Sequence, residues 1–194
     1  MVKLPPRASL RTSPINSKRL QLFPIDRADS RELWLAIEES RDYLYRWLPW
    51  VPLQQDETAS ARFTEACVAD WDAGRALRMI IRERDTGTFI GVVSLETCVH
   101  MHASCEMGYW LRQPAQGHGY MTEASAALLE VAFESFGMHR VRVAAATTNH
   151  KSLAVIMRLG FPFEGIAREA EYCAGRWLDH AQFGMLASDF KRVR

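Results

Sequence analysis

The sequence lacks a charge excess, a cysteine motif and a long apolar run, and each absence excludes a class of protein. Its 194 residues carry 24 Lys and Arg against 23 Asp and Glu, a formal net charge of +1, so no overall field favours nucleic acid. No apolar run approaches the roughly 18 residues that a membrane-spanning helix needs. Residues 1–14 contain Lys, Arg and Pro without an apolar core, which excludes a secretory signal. We expect a cytoplasmic protein with a flexible arm over residues 1–14 and one domain over residues 15–190.

The cysteines show neither redox nor zinc spacing. There is no CxxC pair, and no Cys/His cluster with the separations that zinc ligands need. His100 and His102 lie close before Cys105, which is a weak hint of metal binding. Buried thiols and exposed imidazoles explain the same pattern, so we predict no metal and no disulfide.

Hydrophobic periodicity predicts one α/β unit without internal repeats or an interdomain linker. Alternating or continuous apolar stretches indicate strands, and apolar residues three and four apart indicate helices. The predicted strands are 19–23, 77–83, 89–96, 104–111, 140–146, 163–172 and 177–185. The predicted helices are 29–45, 56–72, 121–136 and one that begins at Asn149.

A loop with two glycines joins the predicted strand 104–111 to the helix that follows it. Glycine permits backbone conformations that other residues resist, and the first N–H groups of a helix attract anions. The loop therefore predicts a site for a phosphorylated, nucleotide-like ligand, with an ordinary tight turn as the alternative. A Rossmann fingerprint would have a third glycine where Thr122 stands, and a P-loop would have Gly-Lys-Ser/Thr at its end. The candidate ligand-binding residues of this loop are Gln116, Gly117, His118, Gly119, Tyr120 and Met121.

A second segment, residues 148–161, has a good helix N-cap in Asn149 and a good stop in Gly160. Together, these segments resemble the GNAT acetyltransferases, and within them the RimJ/RimL-like branch that includes the ribosomal-protein-alanine N-acetyltransferases. The resemblance covers residues from about 17 to 190. The matching pieces are 17–22, 106–111, 116–124, 149–152, 159–161, 163–165, 168–169 and 175–177.

The resemblance implies a single domain with a mixed central β-sheet, opened by a V-shaped splay and flanked by helices. It places the cosubstrate acetyl-CoA in that V, with its pyrophosphate on the glycine loop. The pantetheine arm would bind strand backbone at Tyr109, Trp110 and Leu111, and would also meet Asn149 and Ser152. The family often has Gln or Arg three residues before the first glycine, where this chain has Pro114. Because the loop binds mainly through backbone N–H groups, this departure weakens the motif without breaking it.

The reaction that the resemblance implies is acyl transfer to an amine, which must lose a proton before it attacks. Glu106 is our candidate base, because burial among Met107, Tyr109 and Trp110 would raise its pKa. In the alternative, Glu106 faces away and pairs with a basic side chain. Ser152 matches the serine that protonates the CoA thiolate in this branch, although it could serve only as a hydrogen-bonding group in the first turn of its helix. A covalent route through Cys105 is a rival that neighbouring Glu106 disfavours, since its charge opposes a thiolate.

Fewer residues of the sequence bear on the acceptor than on the cosubstrate. Tyr45, Trp47 and Trp50 lie where the family builds one wall of the acceptor site, although they could simply pack the first helices on the sheet. The resemblance favours a protein N-terminal α-amine, attacked within a ternary complex. The alternatives are a small amine (an antibiotic, an aminoacyl-nucleotide or a polyamine), a non-catalytic acetyl-CoA sensor and a Rossmann-type enzyme. A homodimer through the C-terminal strands is a further possibility.

Overall fold

Eight strands form one mixed sheet in the computed structural model, which describes residues 5–193 and side chains as far as residue 191. The spatial order is β1-β2-β3-β4-β5-β6-β8-β7. The strands are β1 (Ile15–Asn16), β2 (Leu20–Pro24), β3 (Leu77–Glu83), β4 (Phe89–Val99), β5 (Ser104–Leu111), β6 (Arg140–Ala146), β7 (Phe163–Cys173) and β8 (Arg176–Leu186). The helices are α1 (Arg7–Thr12), α2 (Ser30–Tyr45), α3 (Glu57–Asp72), α4 (Tyr120–Glu130, then a π-helical turn to Ser135), α5 (His150–Arg158) and α6 (Ala187–Val193).

The predicted strands and long helices are confirmed, and the ends of β3, β5 and β6 agree with the sequence prediction. The short helix α1 is an addition, because it lies inside the segment predicted as a flexible arm. It contacts the rest of the chain through ion pairs from Arg7 to Asp26 and from Arg11 to Asp29, the latter 3.0 Å long. Residues 1–4 of that arm lie outside the described residues.

The sheet splits between β5 and β6, which run parallel. Their pairing covers three residues, Ser104–Glu106 against Arg140–Arg142. Beyond it β5 continues to Leu111 beside β4, and β6 continues to Ala146 beside β8. The two strands therefore diverge into an open V, as predicted.

The two faces of the sheet carry different layers. Side chains alternate between faces along a strand, so Cys105, Met107 and Tyr109 share one face. That face packs against α4 and α5 in the main core, and we call it the α5 face. The opposite face carries Trp110 and packs against α2 and α3, and we call it the α2 face. No helix within residues 5–193 is long and apolar enough to cross a bilayer.

One carboxylate fastens the first strands to the helix that follows the glycine loop. Glu123, in the first turn of α4, accepts hydrogen bonds of 2.7 Å from Ser17 Oγ, Arg19 N and Arg19 Nε. Burial opposes ionisation of Glu123, but the hydrogen bonds from Arg19 and Ser17 outweigh it and lower its pKa. The ionised form of Glu123 therefore stabilises the fold.

We expect Glu123→Gln to lower the free energy of unfolding by about 1–3 kcal/mol at neutral pH, because charge-assisted hydrogen bonds become neutral ones. A carboxylate whose folded pKa is depressed stabilises the protein above its unfolded pKa, about 4.3, and loses that effect as pH falls through the folded value. The difference between variant and parent should therefore shrink below about pH 4 in urea unfolding. Glu57→Gln, an exposed residue in the first turn of α3, controls for the helix dipole. A constant difference at all pH values would contradict this account.

Candidate active site

The loop before α4 has the backbone geometry of an anion site. Gly117 and Gly119 both lie in the left-handed region, with φ of +85° and +77°. A Cβ on Gly117 would meet nothing within 4 Å, so the loop surface is open there. Helix α4 begins at Tyr120, and its first N–H groups have no partner within the helix. The predicted phosphate site therefore has room and donors for a pyrophosphate.

Two cationic side chains from other elements flank this loop. The guanidinium of Arg19, which directly precedes β2, lies 4.6 Å from the Tyr120 ring centroid, and its Nη2 atom is 3.7 Å from where a Gly119 Cβ would stand. On the other side, Lys151 Nζ donates to Gln116 Oε1 at 3.0 Å. Arg19 and Lys151 therefore place positive charge beside the loop although neither belongs to it. Within the loop motif itself, Pro114 stands where the family often has Gln or Arg.

Three of the predicted residues meet on the α5 face of the splay. Ser152 N donates to Asn149 Oδ1 at 3.2 Å, and this bond caps α5. The Tyr109 hydroxyl lies 2.8 Å from Ser152 Oγ and 3.2 Å from the Ser152 carbonyl oxygen. Tyr109 stands three positions beyond Glu106, the last residue of β5 that pairs with β6. A hydroxyl pair therefore lies on the wall of the open V.

The other two predicted strand residues direct their side chains to opposite faces. The Trp110 ring packs on the α2 face, 6.2 Å from Trp50 and 5.9 Å from Phe89 between ring centroids. Leu111 packs against the main core. Neither residue pairs with β6, so contacts from Trp110 and Leu111 to a ligand in the V would come from their backbone.

The expectation that Glu106 is buried is wrong. Its side chain is 48% exposed and its Oε1 atom accepts a hydrogen bond from Arg142 Nη2 at 2.6 Å. Because Glu106 is an odd number of residues from Tyr109, it lies on the α2 face. The alternative stated from the sequence, pairing with a basic side chain, describes the contact that Glu106 makes.

A second carboxylate near the splay was missed by the sequence reading. Burial raises the pKa of Glu171 on β7, although the charge of nearby His180 acts in the opposite direction. His180 Nε2 lies 3.6 Å from Glu171 Oε2. His180 pairs with Ala146, the last residue of β6, so both side chains lie beside the strand that forms the second wall of the V. The pairing of β7 with β8 shifts register between Ala167 and Glu171. Because such a shift interrupts the alternation of side chains, the position of Glu171 could not be predicted from the sequence pattern.

The aromatic residues predicted to form the acceptor wall separate into two groups. Trp47 packs against the cluster of Ala146, Cys173 and Leu178, and Tyr45 is 44% exposed nearby, with its carbonyl oxygen accepting from Cys173 Sγ. These two residues border the Glu171 region. Trp50 is instead partly buried and packs against the core between α2 and the sheet, which is the packing role given as the alternative.

The structure separates the hydroxyl pair from the carboxylates. Arg142 and Ala146 share a face of β6 because they are four residues apart, and His180 pairs with Ala146. Glu106, which contacts Arg142, and Glu171, which contacts His180, therefore lie on the α2 face. Ser152 and Tyr109 lie on the α5 face. The hydroxyl pair and the two carboxylates thus lie on opposite faces of the sheet near the V.

The cysteines and histidines considered from the sequence form neither an activated nucleophile nor a metal site among the described residues. Cys105 is buried, and a hydrogen bond with Cys98 together with burial raises its pKa, which disfavours a nucleophilic thiolate. All four cysteines are free. Within residues 5–193, no three His, Cys, Asp or Glu side chains lie close enough to share a metal ion.

Comparison with known proteins gives the family. The model of the acetyltransferase (GNAT) domain matches residues 19–162. The chain belongs to the GNAT family. The resemblance read from the sequence is therefore confirmed, and the protein is an acetyl-CoA-dependent N-acetyltransferase.

The relatives of this GNAT enzyme include ribosomal-protein acetyltransferases. It is 27% identical to the ribosomal-protein-serine acetyltransferase of Escherichia coli over 156 residues, covering 80% of this chain and 86% of that protein. It is 25% identical to the [ribosomal protein uS5]-alanine N-acetyltransferase of E. coli over 166 residues, covering 82% and 85%. The crystal structure of the microcin C7 self-immunity acetyltransferase MccE in complex with acetyl-CoA and AMP superposes with a TM-score of 0.83 at 26% identity, covering 89% and 94%.

In this GNAT enzyme we expect a substitution of Gly117 to lower the affinity for CoA more than it lowers the stability of the fold. Gly117→Ala places a side chain at a φ of +85°, which costs about 1 kcal/mol and tilts the loop N–H groups away from the phosphates. We expect CoA affinity to fall about tenfold by calorimetry. Gly175→Ala is the matched control, because Gly175 in the β7–β8 turn has a φ of +78° and nothing within 4 Å of its Cβ position. Equal losses of affinity in both variants would refute the assignment of the loop.

Proposed function

We propose that this enzyme acetylates the N-terminal α-amine of a protein, of the ribosomal-protein type, by direct attack within a ternary complex. The names of its relatives support the class of acceptor. The observation that carries the mechanism is the separation of Ser152 from the carboxylates across the splayed sheet. Direct transfer needs a proton acceptor on the amine side and a proton donor on the thiol side.

Different residues around the V would bind different parts of acetyl-CoA. The loop 116–121 would hold the pyrophosphate, with Arg19 and Lys151 adding positive charge. Backbone groups of Tyr109, Trp110 and Leu111, together with Asn149, would hold the pantetheine arm. Acetyl-CoA supplies the activated acetyl group as a thioester.

Ser152 would act on the leaving side of the reaction. Its hydroxyl donates a proton to the sulfur as the C–S bond breaks, so that a neutral thiol leaves instead of a thiolate. Its position in the first turn of α5 is fixed by the hydrogen bond to Asn149.

The proton acceptor on the other side is one of two carboxylates. Glu106, the candidate from the sequence, is half-exposed, and its Oε1 atom already accepts a hydrogen bond from Arg142. Glu171 is more buried and its pKa is raised, which brings it closer to the range of an effective base. The environment therefore favours Glu171, either directly or through a water molecule.

The acceptor would approach along the α2 face. Tyr45 and Trp47 border the region of Glu171, and a carboxylate beside aromatic rings suits a protonated amine before it is deprotonated. Trp50, which packs against Trp110 on the same face, would have no direct contact with the acceptor at this wall.

The function can be tested by thiol release from acetyl-CoA. The panel contains peptides that begin with Ala, Ser or Met, the same peptides with a blocked α-amine, polyamines and aminoglycosides. Turnover on free but not on blocked peptides, with acetylation located at the N-terminus by mass spectrometry, supports the proposal. Turnover on a small amine alone would reassign the acceptor, and tight binding of acetyl-CoA without turnover on any amine would favour a sensor.

A further inference from the structure

The Tyr109 side chain makes a contact that the binding of cosubstrate through strand backbone does not require. Its hydroxyl reaches both polar oxygens of Ser152, the hydroxyl at 2.8 Å and the carbonyl at 3.2 Å. Tyr109 comes from β5 and Ser152 from α5, so this contact joins one wall of the V to the helix beyond the other. The serine is thereby held twice, by Asn149 at its backbone N–H and by Tyr109 at its side chain.

The phenol of Tyr109 keeps its proton at working pH, so it can donate a hydrogen bond to Ser152 as well as accept one. Burial raises the pKa of Tyr109 to about 12, even though the hydrogen bond with Ser152 acts in the opposite direction. The phenol is therefore protonated, and it has one hydrogen to give. Either oxygen could be the donor in the contact with Ser152 Oγ, and of the two Ser152 oxygens Oγ lies closer to the phenol.

A serine in a helix can instead turn its own hydrogen back to a backbone carbonyl of the preceding turn. When a phenol donates to the serine oxygen, one lone pair of that oxygen is occupied and the rotation of the hydroxyl is restricted. The serine hydrogen is then free to point away from Tyr109.

We infer that Tyr109 is a positioning residue, which orients the Ser152 hydroxyl so that the serine hydrogen points at the sulfur of bound CoA. This rests on the proposed role of Ser152 as proton donor. As the C–S bond breaks, its electron pair goes to sulfur and the serine proton follows. The phenol O–H bond stays intact, and its hydrogen bond strengthens as negative charge grows on Ser152 Oγ. The serine regains a proton from solvent after the thiol leaves.

The first test needs no acceptor. The bound CoA thiol is titrated by the ultraviolet absorbance of its thiolate in the parent, Tyr109→Phe, Ser152→Ala and the double variant. A hydrogen bond from Ser152 stabilises the thiolate, so the bound thiol should titrate about one pH unit below free CoA, a tenfold shift in the equilibrium. Each single variant should abolish most of this shift, and the double variant should add nothing further.

The second test uses turnover on whichever amine the panel identifies. Tyr109→Phe should lower kcat about tenfold and leave KM for acetyl-CoA within about twofold, whereas in the Ser152→Ala background it should change kcat by less than about twofold. Tyr172→Phe, which removes the hydroxyl of an exposed tyrosine on β7, is the control, and urea unfolding checks that each variant folds.

Each outcome decides between distinct ideas. If Tyr109→Phe leaves the thiol titration and kcat unchanged while Ser152→Ala alters both, Ser152 acts without Tyr109 and the inference is wrong. Equal effects of Tyr109→Phe with and without Ser152 would mean that the phenol acts on sulfur itself, which also overturns it. If the titrations shift as expected but no amine is acetylated, the positioning role stands and the proposed acceptor fails.

Discussion

Ser152→Ala is expected to lower kcat about 100-fold, within the range of a lost general acid, while CoA affinity stays within about twofold. The parent passes a proton to the leaving sulfur, whereas the variant must release a thiolate or rely on water. The backbone N–H of residue 152 keeps its bond to Asn149, so the start of α5 should survive the substitution. Steady-state kinetics with acetyl-CoA, together with calorimetry of CoA binding, measure the two quantities separately.

The control for this variant is Thr58→Ala, which removes an exposed hydroxyl from the first turn of α3. It should leave kcat and CoA affinity unchanged. A weaker affinity for CoA with normal kcat in Ser152→Ala would reduce the serine to a binding residue. Loss of folding in the unfolding assay would reduce it to a structural role in α5.

Glu171→Gln is expected to lower kcat at neutral pH about 100-fold, and more than Glu106→Gln does. The parent needs both a neutral amine and an ionised base, so activity should fall steeply as pH drops. Because burial raises the pKa of Glu171, its part of that fall should begin above the usual titration range of a glutamate. In the variant only the amine titrates, so the slope of log kcat/KM against pH at low pH should change from about 2 to about 1.

The matched control is Glu169→Gln, an exposed carboxylate two residues away on the same strand. It should keep both the rate and the slope of the parent. A larger loss in Glu106→Gln, with the change of slope there instead, would restore the carboxylate predicted from the sequence. If both single variants keep the slope, neither carboxylate is the base and the amine is deprotonated before it binds.

Local sequence signals predicted the elements that their own residues determine. The ends of β5 and β6, the cap at Asn149 and the two left-handed glycines follow from patterns within a few residues. These elements position Ser152 and the candidate phosphate loop, so that part of the candidate site could be predicted from the sequence.

The rest depends on partners far apart in the chain. The burial of Glu171 depends on the register of β7 against β8 and on a bulge in that register. The ion pair of Glu106 depends on Arg142, which the parallel pairing of β5 with β6 places opposite it. Likewise, α1 is held by long-range contacts such as the ion pair from Arg11 to Asp29. The apolar pattern of a six-residue helix is too short to predict such contacts.

The short seam between β5 and β6 has a consequence for cooperativity. Three residue pairs hold a five-strand half and a three-strand half together along their inner edges, so the packing of α4 and α5 must provide much of the remaining coupling. A ligand that contacts both inner edges binds the closed arrangement of the halves and not the unfolded chain, and it stabilises that arrangement by mass action. Amide exchange along the inner edges of β5 and β6 should therefore be faster than at the centre of either half, and should slow once such a ligand binds.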